Sequence, residues 1–255
     1  MACYYYKKIK STDNPILSNV DATFILCMEN SNRFKTCPFL INLSKETIIQ
    51  YNKGFKKCNK SEHIKLSNND IIHAYYTLFN NTKNYENIII LEEDAEVYNY
   101  DISHYKKIDD YIKNNRFNAL TFATFGAFKK LNEDFYTVDT VQCGAQANIF
   151  SKNYRTYLID KIEKNNFNGH MDVDYLNNNK VISYKIPLII QLWPETENSK
   201  NWGFLQRIPV FIIGAHKYKE SWEIIYFFNK NIHLIIIIIQ IVILIVIILK
   251  YKTLK

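Results

Sequence analysis

The longest run of apolar residues lies near the C-terminus, from Ile232 to Leu249. Its eighteen positions contain two polar side chains, His233 at the edge and Gln240 in the middle. As a helix, the run spans about 27 Å, close to the roughly 30 Å hydrocarbon core of a bilayer. A buried strand or core helix is the alternative, but elements this long and this apolar are rare in soluble domains. The pattern therefore predicts a transmembrane helix.

Lysines flank this run on both sides, with Lys230 before it and Lys250, Lys252 and Lys255 after it. Long Lys side chains at the two ends of a span can reach the lipid headgroups. We therefore divide the chain into an N-terminal segment (1–20), a domain (21–229) and a C-terminal membrane anchor (230–255).

Within the domain, short apolar runs alternate with segments of helical spacing. Ala22–Met28 and Asn87–Leu91 are typical of strands buried on both faces. Between them, a 3.6-residue period from Asn68 onward predicts a helix that ends near Asn81. The other predicted elements are helices Tyr105–Asn115 and Lys152–Lys164, strands at Ala119–Ala123 and within Thr137–Phe150, and a strand region Val181–Ile190 interrupted by Pro187. This alternation predicts an α/β domain with a mostly parallel sheet.

The N-terminus and the cysteines bear on the compartment of the domain. The N-terminus lacks the apolar segment of a secretory signal, and insertion by a C-terminal span follows synthesis, so we expect a cytosolic domain. The chain has five cysteines, an odd set without a C-x-x-C pair, which predicts reduced thiols. A zinc site built from Cys37, Cys58, His63 and His73 matches no known ligand spacing.

The net charge argues against one class of function. The chain carries +7, and the four lysines of residues 230–255 account for +4, which leaves +3 on residues 1–229. No run of basic residues interleaved with aromatic residues occurs. Binding to nucleic acid is therefore not supported.

Three consecutive acids, Glu92, Glu93 and Asp94, follow the predicted strand Asn87–Leu91. Ligands of open α/β sheets bind beyond the carboxyl ends of the strands, so these side chains lie where a ligand is expected. Adjacent carboxylates repel one another, and Mg²⁺ or Mn²⁺ commonly shares carboxylate ligands with substrate phosphates. The pattern indicates a divalent cation that bridges a diphosphate. A solvated loop whose acids cap the next element is the alternative.

Two further segments carry candidate functional residues. In the segment HMDVD, Asp172 or Asp174 could act as general base toward an acceptor hydroxyl, or could cap the following turn. The segment IPLIIQLWP supplies a strand followed by Gln191 and Trp193, which could contact a sugar ring, although Trp more often packs in a core.

The order of these segments resembles glycosyltransferase family 25 and its large-DNA-virus relatives. The shared order is DIIHAYYTLF, an apolar strand closing on LEED, GAQANIFSKNYRTYLID, HMDVDYL and IPLIIQ, within residues 20–195. The resemblance implies a GT-A fold, a nucleotide-binding α/β sandwich. It also implies metal-assisted transfer of a hexosyl group, with inversion, from a nucleotide-diphosphate donor such as a UDP-sugar. The acceptor would be a glycan, lipid or protein at a membrane.

The resemblance also assigns roles to individual residues. Asp94 and Glu92 would bind the metal, and Asp172 would be the catalytic acid on the acceptor side, with Asp174 as the alternate. The positions that would contact the donor are Arg33, Glu92, Glu93 and Gln191.

The chain also departs from the family pattern. Glu93 stands where the family usually has Asp, and its longer side chain displaces one carboxylate by about one carbon–carbon bond. The family's G-C-x-x-S-H element is replaced by LSNNDIIHAY, in which His73 could substitute for its His. His216 resembles the late metal-binding His of GT-A enzymes, and a structural role is its alternative.

Two other functions are alternatives, although no recognisable hydrolase pattern supports the second. The missing element and Glu93 suit a non-catalytic, tail-anchored interaction or structural protein that retains a degenerate glycosyltransferase fold. A metal-dependent phosphohydrolase would need further ligands, for which Asp101 and His104 are close in sequence. For the transferase, a cytosolic orientation places the domain where nucleotide sugars are made, at a host-cell or virion membrane if the chain is viral.

Overall fold

The structure, a computed structural model, describes residues 2–31, 33, 37–138, 144, 146–176, 181–191 and 219–253. The strands are β1 (Tyr4–Ser11), β2 (Ala22–Met28), β3 (Glu46–Asn52), β4 (Asn87–Glu92), β5 (Ala95–Val97), β6 (Ala119–Thr121), β7 (Phe128–Lys130), β8 (Phe135–Val138), β9 (Ala147–Ser151), β10 (Ile182–Tyr184) and β11 (Ile189–Gln191). The helices are α1 (Ser67–Asn81), α2 (Ile102–Asn114), α3 (Lys152–Lys164) and α4 (Ser221–Thr253), with a π-helical turn at Met171–Leu176.

A mixed nine-stranded sheet runs through the domain in the order β1-β3-β2-β4-β9-β6-β10-β8-β7, and β11 pairs with β5 in a second, two-stranded sheet. In the large sheet, β2 is parallel to β3 and β4, and β6 is parallel to β10. The other pairings are antiparallel, so the fold is mixed α/β and the sheet is not mostly parallel as predicted. The difference arises at β9, which lies between β4 and β6 and runs against both. Alternation of strands and helices along a sequence does not reveal such an insertion.

The apolar strand β4 is central because both of its faces are covered. Ile89 and Leu91 point into a core cluster that includes residues of α2, whereas Ile88 and Ile90 point into a cluster with residues of α1 and α3. Successive side chains of a strand alternate between faces, so one unbroken apolar run supplies both layers. The predicted strand Val181–Ile190 is two strands in two sheets, β10 and β11, separated around Pro187.

A disulfide bond joins Cys3, just before β1, to Cys58 in the loop after β3, with their Cα atoms 5.6 Å apart. The prediction of reduced thiols is therefore wrong for this pair. An odd number of cysteines does not exclude a single bond, and the antiparallel pairing of Tyr4 with Asn52 brings the two segments together. The cysteines thus no longer support a cytosolic location.

Helix α4 begins at Ser221, well before the predicted anchor. It is the one helix in the described part of the chain that is long and apolar enough to cross a membrane, with a mean hydropathy of 2.6. Its early start has a physical reason: Trp222, Ile225 and Tyr226 follow helical spacing and pack against the domain, where each is buried. The molecule therefore has one candidate C-terminal membrane helix whose first turns belong to the domain.

Candidate functional site

The three consecutive acids lie at the carboxyl end of β4, where the chain turns into β5. Because β4 is paired on both sides, the backbone that carries these acids is fixed. The antiparallel pairing of β5 with β11 sets Gln191 opposite Ala95. Gln191 Nε2 therefore donates a hydrogen bond to Asp94 Oδ2 over 2.8 Å. Two residues that the sequence analysis assigned to one site are thus in contact.

Asp94 has one carboxylate oxygen without a partner. Its side chain is 10% exposed, and Oδ1 is buried with no hydrogen-bond partner among the residues that the structure describes. Burial raises the pKa of Asp94, while the hydrogen bond from Gln191 and the charge of Arg33 act in the opposite direction. A buried acceptor without a donor costs about 1–3 kcal/mol, so this oxygen is suited to a ligand that brings a cation or a donor.

Glu92 lies close to Asp94, and both burial and neighbouring negative charge disfavour its ionised form. Its Oε1 accepts a hydrogen bond from the Tyr75 hydroxyl over 3.2 Å. Burial raises the pKa of Glu92 to about 8, and the charges of Asp94 and Asp172 add to the rise. A cation bound beside these acids would instead favour the ionised form of Glu92.

Asp172 reaches the same region from the π-helical turn. Its Oδ2 accepts a bond from Gly144 N over 3.1 Å, and its Oδ1 accepts one from Val173 N over 2.9 Å. Burial raises the pKa of Asp172, against these bonds. Gly144 has a φ of +114°, a conformation that favours glycine, so its backbone N–H can face the carboxylate. Asp172 is close enough to Glu92 for their charges to interact.

Glu93 and Arg33 lie at the edge of the site. Glu93 Oε2 accepts a bond from Met28 N over 3.0 Å, which ties the end of β4 to the end of β2. Arg33 Nη1 lies 3.4 Å from Glu93 Oε1 and 3.9 Å from Asp94 Oδ2. Arg33 therefore lies beside the acids. One carboxylate oxygen of Glu93 is already occupied by a backbone N–H.

Asp174 lies apart from this group in its contacts. It is exposed, its Oδ2 accepts a bond from His170 N over 2.7 Å, and its carbonyl oxygen accepts one from Lys161 Nζ. These are the contacts of a residue that caps the turn, the alternative considered for this segment. Asp172 is the better placed of the two acids to act beside Glu92.

Two residues near the acids escaped the sequence analysis. Tyr75, buried in α1, donates to Glu92, and its place in an apolar helical pattern predicts a core residue only. Gln146 is also buried: its backbone oxygen accepts from Glu92 N and its Nε2 donates to Ala123 O. Its Oε1 has no hydrogen-bond partner in the described chain. The feature of the sequence that could have identified Gln146 is its place as a polar residue within the small-residue run Gly144–Ala147.

Other candidates lie elsewhere or outside the described residues. His73 Nδ1 contacts the hydroxyl of Tyr4 at 2.8 Å, on β1, the edge strand three positions from β4 in the sheet. Asp101 caps α2, and His104 contacts the Tyr184 hydroxyl, so neither contacts the acids. Trp193 and His216 lie outside the described residues.

The acids do not form a ready-made metal cage. Over the described ranges, no group of three or more His, Cys, Asp or Glu side chains could hold a metal ion by itself. Mg²⁺ and similar cations are commonly held by one or two carboxylates together with substrate phosphates. Asp94 and Glu92 fit that second arrangement, because Asp94 Oδ1 is buried and meets no partner in the portion of the chain that the structure covers.

Comparison with known proteins leaves the family open. No protein-family model matches the chain, and no curated protein matches it. Among solved structures, the chain is similar to A197 from STIV, with 13% identity and a TM-score of 0.43 over 70% of this chain and 87% of that one. It is also similar to apo-UDP-glucose pyrophosphorylase, with 10% identity and a TM-score of 0.36 over 64% of this chain and 72% of that one. Similarity at this level does not indicate what the site does.

Proposed function

We propose that this chain is a membrane-anchored glycosyltransferase that binds a nucleotide-diphosphate sugar with a divalent cation at the carboxyl end of β4. The observation that carries the proposal is the buried Oδ1 of Asp94, which has no partner in the described part of the chain and lies near Glu92 and Asp172. Both oxygens of a buried structural carboxylate are usually paired, whereas here only Oδ2 has partners in the described residues. The resemblance in segment order supports the same function.

The donor side of the site would be formed by Asp94, Glu92 and Arg33. Asp94 and Glu92 would hold Mn²⁺ or Mg²⁺, which when bound neutralises charge that develops on a departing diphosphate. Gln191 positions Asp94 through its 2.8 Å hydrogen bond. Arg33, whose side chain is 35% exposed, can turn from Glu93 toward a diphosphate oxygen.

The acceptor side would be served by Asp172. Backbone N–H groups of Gly144 and Val173 orient its carboxylate, and burial raises its pKa. A raised pKa makes a carboxylate a better base toward an acceptor hydroxyl. The apolar helix α4 would hold the domain at the membrane that carries a glycan, lipid or protein acceptor.

Calorimetric titration of the full chain in nanodiscs with UDP, with and without Mn²⁺, tests the donor site. We expect binding that requires Mn²⁺ and that weakens about tenfold or more in Asp94→Asn, since a charged partner is lost. Asp110→Asn, an exposed acid on α2, is the matched control and should bind as the wild type does. Equal affinity in Asp94→Asn and wild type would remove Asp94 from the site.

One observation favours a second candidate, a non-catalytic membrane protein with a degenerate site. Arg33 lies between Glu93 and Asp94 and already offsets part of their charge. Under this alternative, neither UDP nor Mn²⁺ binds, and no nucleotide sugar is hydrolysed by the intact chain. UDP binding by the wild type separates the two functions, and Arg33→Ala then weakens that binding if the guanidinium serves the donor.

A further inference from the structure

The first turns of helix α4 pack against the domain, and the same helix continues into the apolar run. Trp222 Nε1 donates to Gln191 O over 3.2 Å in the first turn. Two turns later, Asn229 Nδ2 donates to Thr124 O over 2.9 Å and its Oδ1 accepts from Gly126 N over 3.2 Å. The apolar run begins at Ile232, three residues after Asn229, or about 4.5 Å along a helix. The domain surface next to Asn229 must therefore lie close to the bilayer.

The contacts of α4 also show which part of the domain lies nearest to the membrane. Phe128, at the start of β7, packs against Tyr226 with ring centroids 5.2 Å apart. Lys130, at the end of β7, pairs with Tyr136, whose ring lies 5.6 Å from Lys230 Nζ. Two residues of strand and four residues of helix both advance by about 6 Å, so β7 runs alongside α4 toward the apolar run. The next segment in that direction is the β7–β8 turn, residues 131–134.

The chemistry of this turn suits a membrane surface. Leu131 is 47% exposed, and Lys129 and Lys130 before it are exposed. Across β8, Lys185 is close enough to Lys230 for their charges to repel. The acids of the turn are Glu133 and Asp134, and Asp134 is bound by both Lys107 and Lys185. Counting Lys107, Lys129, Lys130, Lys185 and Lys230 against Glu133 and Asp134, five minus two, the net charge is +3.

We propose that the β7–β8 turn rests on the membrane that α4 enters, with Leu131 among the lipid headgroups and Lys130, Lys185 and Lys230 bound to anionic phospholipids. Basic residues next to a span are attracted to anionic headgroups, and an apolar side chain at the tip can enter the interface. The alignment of β7 with α4 fixes which turn makes the contact. The proposal rests on the membrane anchor and is independent of the transferase activity.

A depth measurement on the full chain tests this contact. A coumarin-bearing amino acid is placed at position 131 or, as a control, at exposed position 220, twelve residues or about 18 Å of helix before Ile232. The protein is reconstituted into vesicles of phosphatidylcholine and phosphatidylserine that contain a headgroup spin-labelled phosphatidylcholine. We expect quenching several-fold stronger at 131 than at 220. Equal quenching at both positions in protein that floats with the vesicles overturns the proposal but leaves the anchor intact, whereas protein that does not float overturns both.

The role of charge is tested with Lys130→Glu and Lys130→Gln in the position-131 protein. A lysine near an anionic surface contributes about fivefold to the local equilibrium, so quenching should fall in Lys130→Gln and fall further in Lys130→Glu. The difference should vanish in vesicles of phosphatidylcholine alone. Lys7→Glu, on the opposite edge strand β1, should match the wild type. The same quenching in the wild type, Lys130→Gln and Lys130→Glu on anionic vesicles would overturn the binding of anionic lipid.

Discussion

Two clusters of polar side chains in this domain differ in how far their charges are compensated. In the first, the Lys60 cluster, the side chain of Lys60 is 0% exposed and forms an ion pair with Asp70. Lys60 Nζ also donates to Asn52 Oδ1 over 2.6 Å and to the Tyr4 hydroxyl over 2.9 Å. Asp70 Oδ2 accepts further bonds from Asn52 and from Phe55 N. Every charge in this cluster is compensated.

The second, the acid cluster of Glu92, Asp94 and Asp172, is only partly compensated. Of its three acids, Asp94 has a guanidinium nearby, that of Arg33, 3.9 Å from Asp94 Oδ2. Asp94 Oδ1 has no partner within the described residues. The Lys60 cluster ties β1 and the loop after β3 to α1 and so serves stability. Burial raises the pKa of all three acids in the acid cluster, and raised pKa values of this kind are frequent at ligand sites.

The largest expected effect comes from breaking the compensated cluster. Lys60→Met leaves Asp70 buried without its cation and should destabilise the protein by about 3–5 kcal/mol. Chemical denaturation of the full chain, followed by near-ultraviolet circular dichroism, measures the change. Lys65→Met, an exposed lysine a few residues away, should have little effect. A loss below about 1 kcal/mol in Lys60→Met would mean that the ion pair adds no more than a surface pair does.

The acid cluster should make stability fall as pH rises. The folded state keeps a proton on Glu92 up to about pH 8, whereas an unperturbed Glu loses it near 4.5. The unfolded chain therefore binds fewer protons between these values, and the folded state loses stability across the interval. Glu92→Gln should flatten this part of the pH profile, and exposed Glu133→Gln should not. A wild-type profile parallel to that of Glu92→Gln would contradict the shift.

Removing the unpaired acid should stabilise the protein. Asp94→Asn removes a carboxylate whose burial is only partly offset by Gln191 and Arg33, so we expect a gain of about 1 kcal/mol at pH 7 together with the loss of cation binding. The sign is opposite to that of Lys60→Met. Thermal unfolding measures it, with Asp110→Asn as control. Destabilisation of Asp94→Asn would show that Arg33 and Gln191 already compensate the acid.

The smallest effect concerns His73, which borders the Lys60 cluster. Burial lowers its pKa from 6.5 to about 4, and the charge of Lys60 lowers it further, against Asp70. The resulting stability is present above pH 6.5 and is lost as pH falls toward 4, by about 1 kcal/mol once solvent screening is discounted. His73→Gln should remove this acid-side loss, and His63→Gln on the surface should leave it. Denaturant unfolding at pH 7 and pH 4.5 compares the variants.

The sequence predicted features that depend on short segments. The apolar run Asn87–Leu91 followed by three acids was sufficient to place β4 and the acids at its carboxyl end, because apolar runs of this length are buried strands. Asp94 and Gln191 were assigned to one site from the order of segments, and the structure places them in contact. The antiparallel insertion of β9, the edge strand β1 and the Cys3–Cys58 bond were missed, since each depends on which distant segments pair. The start of α4 within the domain was also missed. Trp222 and Tyr226 lie several residues before the apolar run, and polar residues stand between them and it.

Because α4 is one continuous helix, it fixes the distance between the candidate site and the membrane. Trp222, whose indole contacts Gln191, lies ten residues before Ile232, about 15 Å along the helix. Gln191 in turn holds Asp94. With the proposed function, an acceptor would have to project from the hydrocarbon by about this length to meet a donor bound at Asp94. A sugar or phosphate extension on a lipid, or a membrane-proximal protein segment, meets this requirement, whereas a group at the level of the glycerol backbone does not.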